Sequence, residues 1–107
     1  MAFQVKELSI QLIEVLAPVM PRIKQRDKSL ADQLSRAATS KASNLGEAEL
    51  SDPGNRKARL FAAAGSANET LTALRVAVAW RYVPARETEA ATALARRIVA
   101  ILRRITR

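Results

Sequence analysis

The chain has 107 residues, enough for one ordinary domain and too few for two independent cores. It contains no Cys and no His, which excludes disulfides, thiolate and imidazole metal sites, and the usual general base. With 49% hydrophobic and 26% charged residues the composition is globular, and a formal net charge of +8 suits a polyanionic partner, nucleic acid being the commonest, or else a solubilising surface.

Only 4% of the chain is aromatic, so the core must be built from Ala, Leu, Ile and Val. Three Gly and four Pro are too few for a sandwich or small barrel, whereas Ala, Leu, Arg, Lys and Glu are strong helix formers. The opening Met1-Ala2-Phe3-Gln4-Val5-Lys6-Glu7 lacks the basic start and apolar run of a signal peptide. No stretch approaches the ~20 apolar residues needed to cross a bilayer. A cytoplasmic chain with no membrane association is expected.

The first segment, from about Phe3 to Gln25, places Val5, Leu8, Leu12, Val15, Val19 and Ile23 on one helical stripe. Phe3, Ile10, Ile13, Ala17 and Met20 form a second stripe about a third of a turn away, which needs a further surface to cover it. That stripe is the candidate oligomer interface. Pro18 is expected to kink this helix and Pro21 to loosen its last turn.

The second segment follows Arg26-Asp27-Lys28, with Ser29 and Asp32 as a capping pair. Leu30, Leu34, Ala37, Ala38, Ala42 and Leu45 give its stripe, and Gly46 interrupts it at a cost of about 1 kcal/mol, which implies a packing reason. Asp52-Pro53 then reads as an N-cap and first-turn proline. The third helix is predicted to reach Tyr82 with Leu60, Ala64, Ala67, Leu71, Leu74 and Val78 in register, and Gly65-Ser66 marks a close crossing. Val83-Pro84 ends it. The fourth helix runs from about Ala85 to the C-terminus, with Leu94, Ile98, Ile101, Leu102 and Ile105 on its apolar side. The expectation is all-α: one domain spanning residues 1–107, an antiparallel up-down four-helix bundle.

Two motifs carry a resemblance. Arg36-Ala37-Ala38-Thr39-Ser40 with Asn44-Leu45-Gly46-Glu47-Ala48, and Phe61 with Gly65-Ser66-Ala67-Asn68-Glu69 and Leu74, resemble the signature of bacterial four-helix-bundle proteins first noticed in intervening sequences of large-subunit ribosomal RNA genes. That resemblance implies an antiparallel bundle assembled into a homopentameric ring. A branch similar in fold is the basic accessory variability protein of diversity-generating retroelements, which associates with a reverse transcriptase and with nucleic acid. Ala48 stands where the family has glycine, so the second helix is expected to continue to about Leu50.

Arg36, Ser40, Asn44 and Glu47 lie along one side of the second helix, and Ser66 and Glu69 are neighbours on the third. Facing each other, Arg36 or Lys41 could pair with Glu69 and Asn44 with Ser66. The row reads either as a small-ligand pocket or, preferably, as a buried hydrogen-bond network fixing register or subunit contact. Glu47, Glu49 and Glu69 lack the histidines of a di-iron site, and there is no phosphate-binding glycine loop, so no cofactor, metal or enzymatic activity is expected.

The candidate nucleic-acid surface joins Arg96, Arg97, Arg103, Arg104 and Arg107 to Arg56, Lys57 and Arg59. Guanidinium groups grip phosphates in forked geometry and release counterions, and a ring would multiply weak contacts. The competing reading pairs these arginines with carboxylates of neighbouring subunits. Trp80 and Tyr82 could stack on bases, although a lone Trp in a bundle usually packs. Function is thus expected to be that of a non-enzymatic basic scaffold binding RNA, DNA or an RNA–protein complex; the alternative is a protein–protein adaptor that binds no nucleic acid.

Overall fold

The computed structural model describes the backbone of residues 2–107 and side chains from Gln4 onward, so the Phe3 side chain lies outside the described residues. Among them every regular element is helical, and the four expected segments are five helices: α1 (Ala2–Leu16), α2 (Met20–Arg26), α3 (Lys28–Glu49), α4 (Pro53–Ala79) and α5 (Ala85–Thr106). The molecule measures 42 × 21 × 20 Å.

The extra helix comes from Pro18. It breaks the first segment outright, because its missing N–H and its ring interrupt the hydrogen-bond ladder. The chain crosses the gap through a tighter bond from Val19 N–H to the Leu16 carbonyl at 2.9 Å, and α2 restarts with Pro21 in its first turn, where proline is tolerated. Val5, Leu8, Leu12, Leu16, Val19 and Ile23 are buried, so the stripe passes through Leu16 rather than Val15.

Asp27, not Ser29, caps α3. Its backbone is extended (φ −157°, ψ 92°) and its Oδ1 accepts from Leu30 N–H at 2.9 Å. Ser29 lies inside the helix, two positions past the cap. Asp52 caps α4 as expected, accepting from Asn55 N–H at 3.0 Å and from Asn55 Nδ2 at 2.7 Å. These bonds hold its carboxyl below the ordinary carboxylate range.

The α4 seam is rotated by one residue from the predicted one. Leu60, Ala63, Ala67, Thr70, Leu74 and Ala77 are buried, while Ala64, Leu71 and Val78 are half-buried at its edge. Apolar counting favoured Leu71 over Thr70, but the Thr70 hydroxyl donates to the Ser66 carbonyl at 2.8 Å and enters the core satisfied. The helix also stops at Ala79 rather than Tyr82. Tyr82 N–H reaches the Ala77 carbonyl (3.0 Å) and Arg81 N–H the Val78 carbonyl (2.9 Å), with Arg81 left-handed at φ 63°. This is a Schellman ending with arginine where glycine is usual.

α3 and α4 make the most extensive contact, as their facing alanines allow close approach; α3 and α5 each lie between α1 and α4. Lys6 of α1 meets Glu49 at the end of α3 at 3.0 Å, and Arg22 of α2 meets Glu87 at the start of α5. Neither Gly46 nor Gly65 has the packing reason assigned to it: a Cβ at either would meet nothing within 4 Å. The chain itself does not need glycine there. No helix is long and apolar enough, among the described residues, to cross a membrane.

Candidate nucleic-acid interface

The core face of α5 carries Thr88, Ala91, Ala95, Ile98, Val99 and Leu102. At about 100° per residue this leaves Arg96, Arg97, Arg103, Arg104 and Arg107 on the opposite side, and all five are exposed. From Ala90 to Arg107 the helix contains no acidic residue. None of these arginines has an ion pair among the described residues. The result is a positive strip with no paired carboxylate among the described residues.

The first turns of α4 behave differently. Arg56 Nε donates to the Ala48 carbonyl at 3.2 Å and its Nη2 to the Ser51 carbonyl at 3.3 Å. Arg59 pairs with Glu47 at 2.7 Å and donates to Asn44 Oδ1 at 3.3 Å. These two guanidinium groups tie the α3–α4 corner together. Lys57 is exposed and makes no such bond. Of the eight basic residues grouped by sequence, two are already engaged at home.

The polar row comes together, but on the surface. Arg36, Ser40, Ser66 and Glu69 line a shallow hollow of about 240 Å³ with Gln33 and Ala37. Asn44 Nδ2 donates to the Ser40 carbonyl (3.0 Å) and Oγ (3.4 Å), and Ser66 Oγ donates to Ser40 Oγ at 3.5 Å. Ser40 therefore stands between Asn44 and Ser66, which do not bond directly. Arg36 Nε donates to the Asp32 carbonyl at 3.4 Å rather than to Glu69. The buried network expected here is exposed, because the row sits on the outer edge of the α3–α4 contact rather than on its seam.

Lys41 is the largest departure. It is fully buried and its ammonium has no hydrogen-bond partner among the described residues, so it does not pair with Glu69. Burial lowers its pKa from 10.5 to about 8. The sequence held the signal: Lys41 falls four residues after Ala37 and four before Leu45, within the apolar stripe itself.

The second stripe of α1 is divided. Ile13 and Met20 are half-buried and line a hollow of about 180 Å³ with Leu16, Ala38 and Thr39; Ala17 is exposed at the rim of that hollow, and Ile10 (42%) is exposed outside it. α3 covers part of what was expected to await a partner. Phe61 (53% exposed) and Leu50 (92%) add apolar surface elsewhere. Between α4 and α5, Arg75, Val78, Thr88, Glu89 and Arg96 border an open groove of about 450 Å³ that sequence reading did not anticipate. No group of three or more acidic side chains placed to hold a metal occurs among the described residues.

Such a molecule belongs to the class of small all-helical proteins with one uncompensated basic helix face. Residues 2–104 match the family described as 23S rRNA-intervening sequence protein, and the chain is a member of that family. Its fold is similar to the crystal structure of a protein of unknown function from the S23 ribosomal protein family of Bacteroides thetaiotaomicron, with TM-score 0.86 and 23% identity over 96% of this chain and 98% of that one. Comparison with curated proteins finds no match.

Proposed function

We propose that the chain is a non-enzymatic, homo-oligomeric scaffold whose basic faces bind nucleic acid, RNA or an RNA–protein complex foremost. The observation that carries this reading is the α5 strip: Arg96, Arg97, Arg103, Arg104 and Arg107 are all exposed, with no Asp or Glu side chain between residues 90 and 107. Phosphate oxygens supply the missing counter-charge in the forked geometry that guanidinium favours. We read the architecture as an up-down four-helix bundle in which α1 and α2 together form one broken arm.

Assembly follows from two apolar patches that the chain leaves open. Ile10 is exposed on α1 and Ala17 in the turn that follows it; Phe61 and Gly65 are exposed on α4, the helix that α3 and α5 separate from α1. Two different patches on opposite helices suit head-to-tail contact, which closes into a ring when the rotation allows, five copies being the number implied by the family resemblance. Gly65 fits the same reading, since a neighbouring copy can approach α4 most closely where no Cβ projects. A ring repeats the arginine strip and converts weak phosphate contacts into avidity.

The test is an Arg97→Gln/Arg104→Gln double variant titrated with fluorescent single-stranded RNA at several salt concentrations. Loss of affinity with a shallower salt dependence is expected, by roughly 0.7 in log–log slope for each phosphate contact removed. An unchanged slope would contradict a phosphate-binding strip. The α4–α5 groove and exposed Phe61 support a second reading, a protein–protein adaptor, for which RNA would not bind at physiological salt.

A further inference from the structure

At the end of the molecule where α2 meets α3 and α4 meets α5, the one tryptophan of the chain stands in solvent: Trp80 is 66% exposed. A lone indole in a helical protein is usually packed, and this one is held in place without being covered. The Schellman ending of α4 fixes its backbone. Its ring stacks on Tyr82, centroids 6.5 Å apart and planes 17° from parallel. Tyr82 is itself anchored twice. Its hydroxyl donates to Asp27 Oδ2 at 3.1 Å, and the Arg26 guanidinium lies 5.6 Å from its ring centroid. Asp27 in turn caps α3. The two turns are therefore locked into one ledge.

The ledge is basic. Arg26 and Lys28 flank Asp27 on one turn, and Arg81 and Arg86 lie on the other, with Lys24 one turn back on α2. The nearest carboxylates are already occupied: Asp27 accepts from Leu30 N–H and the Tyr82 hydroxyl, and Glu87 pairs with Arg22. Asp32 and Glu89 stand about one helical turn further in, on α3 and α5. Arg81 adopts φ 63°, a conformation that favours glycine, yet an arginine occupies it, between Trp80 and Tyr82 in the sequence. A rigid, open aromatic face bordered by cations that have no carboxylate partner among the described residues fits one chemistry well: an unpaired nucleobase stacked on the indole, its flanking phosphates held by the lysines and arginines.

We infer that the Trp80–Tyr82 ledge is a base-stacking site for single-stranded nucleic acid, separate from the α5 arginine strip. It rests on the nucleic-acid reading above and adds a preference for unpaired strands that the strip alone does not supply. A duplex hides its base faces, so it can use the strip but not the ledge.

Because Trp80 is the sole tryptophan, its emission reports on the ledge directly. Short oligouridine should quench it saturably, in step with binding followed by anisotropy, while a duplex of equal length binds with little quenching. Trp80→Ala should weaken oligouridine binding at least about fivefold with its salt slope unchanged, and Trp80→Phe should retain most of the affinity. Both variants should keep the parent's helical circular dichroism, as expected for a residue 66% exposed. Salt-dependent binding without quenching, and unaltered in Trp80→Ala, would overturn the ledge and leave the strip standing. No binding by the parent chain at low salt would overturn both. Emission that shifts only with protein concentration would make the ledge a protein–protein contact and overturn the proposal.

Discussion

Lys41 shows how a single side chain can oppose the fold that contains it. A fully buried ammonium without a partner is destabilising, and burial has already drawn its pKa down to about 8. Unfolded, the same group titrates near 10.5. Below about pH 8 it is charged in both states, and the folded state bears the full desolvation cost. Between about 8 and 10.5 the unfolded chain holds a proton that the native chain has released, so this residue makes stability rise with pH. The relief amounts to about 3–3.5 kcal/mol at most. Lys41→Met should therefore raise the unfolding free energy at pH 7 by about 1–3 kcal/mol and abolish the parent's extra gain between pH 8 and 10, measured by urea denaturation at both pH values. A variant no more stable than the parent would show that the ammonium finds compensation in solution.

At the scale of elements, what could be read in advance was local. Asp52-Pro53 announced the start of α4 because a cap and a first-turn proline act within one helical turn. In α5 the exposed arginines were legible, but the predicted stripe is turned: Ile98 and Leu102 are buried, Leu94, Ile101 and Ile105 are only half-buried, and Ala91, Ala95 and Val99 fill the core face. Errors arose where a choice depended on distant residues. Pro18 is compatible with a kink or a break, and tertiary packing of Val19 and Ile23 selects the break. Asp27 outcompetes Ser29 because its extended backbone lets it cap α3 while it accepts the Tyr82 hydroxyl from across the molecule. Arg56 and Arg59 look identical in type to the α5 arginines, yet the proximity of Ala48, Ser51 and Glu47 diverts them to structure.

Gly65 turns this into a test of α4. Within the chain it is exposed, and a side chain would meet nothing, so substitution by a good helix former should leave the fold intact or stabilise it by about 1 kcal/mol. If the face bearing Phe61 and Gly65 packs against another copy, Gly65→Leu should lower the assembly mass in light scattering while the helical signal is kept. An unchanged mass would remove this face from the interface.

The whole molecule joins three surfaces that monomer packing leaves unexplained: the α5 strip, the apolar patches of α1 and α4, and the aromatic ledge at one end. A basic scaffold that repeats itself around a ring uses all of them. The most direct test is sedimentation of the 11.7 kDa chain alone and with short single-stranded RNA, at low and at high salt. The account predicts a mass several times the protomer's in both salts, five times in the ring implied by resemblance, with RNA co-sedimenting at low salt and released at high salt. A monomer that leaves the RNA boundary unmoved at low salt would contradict it.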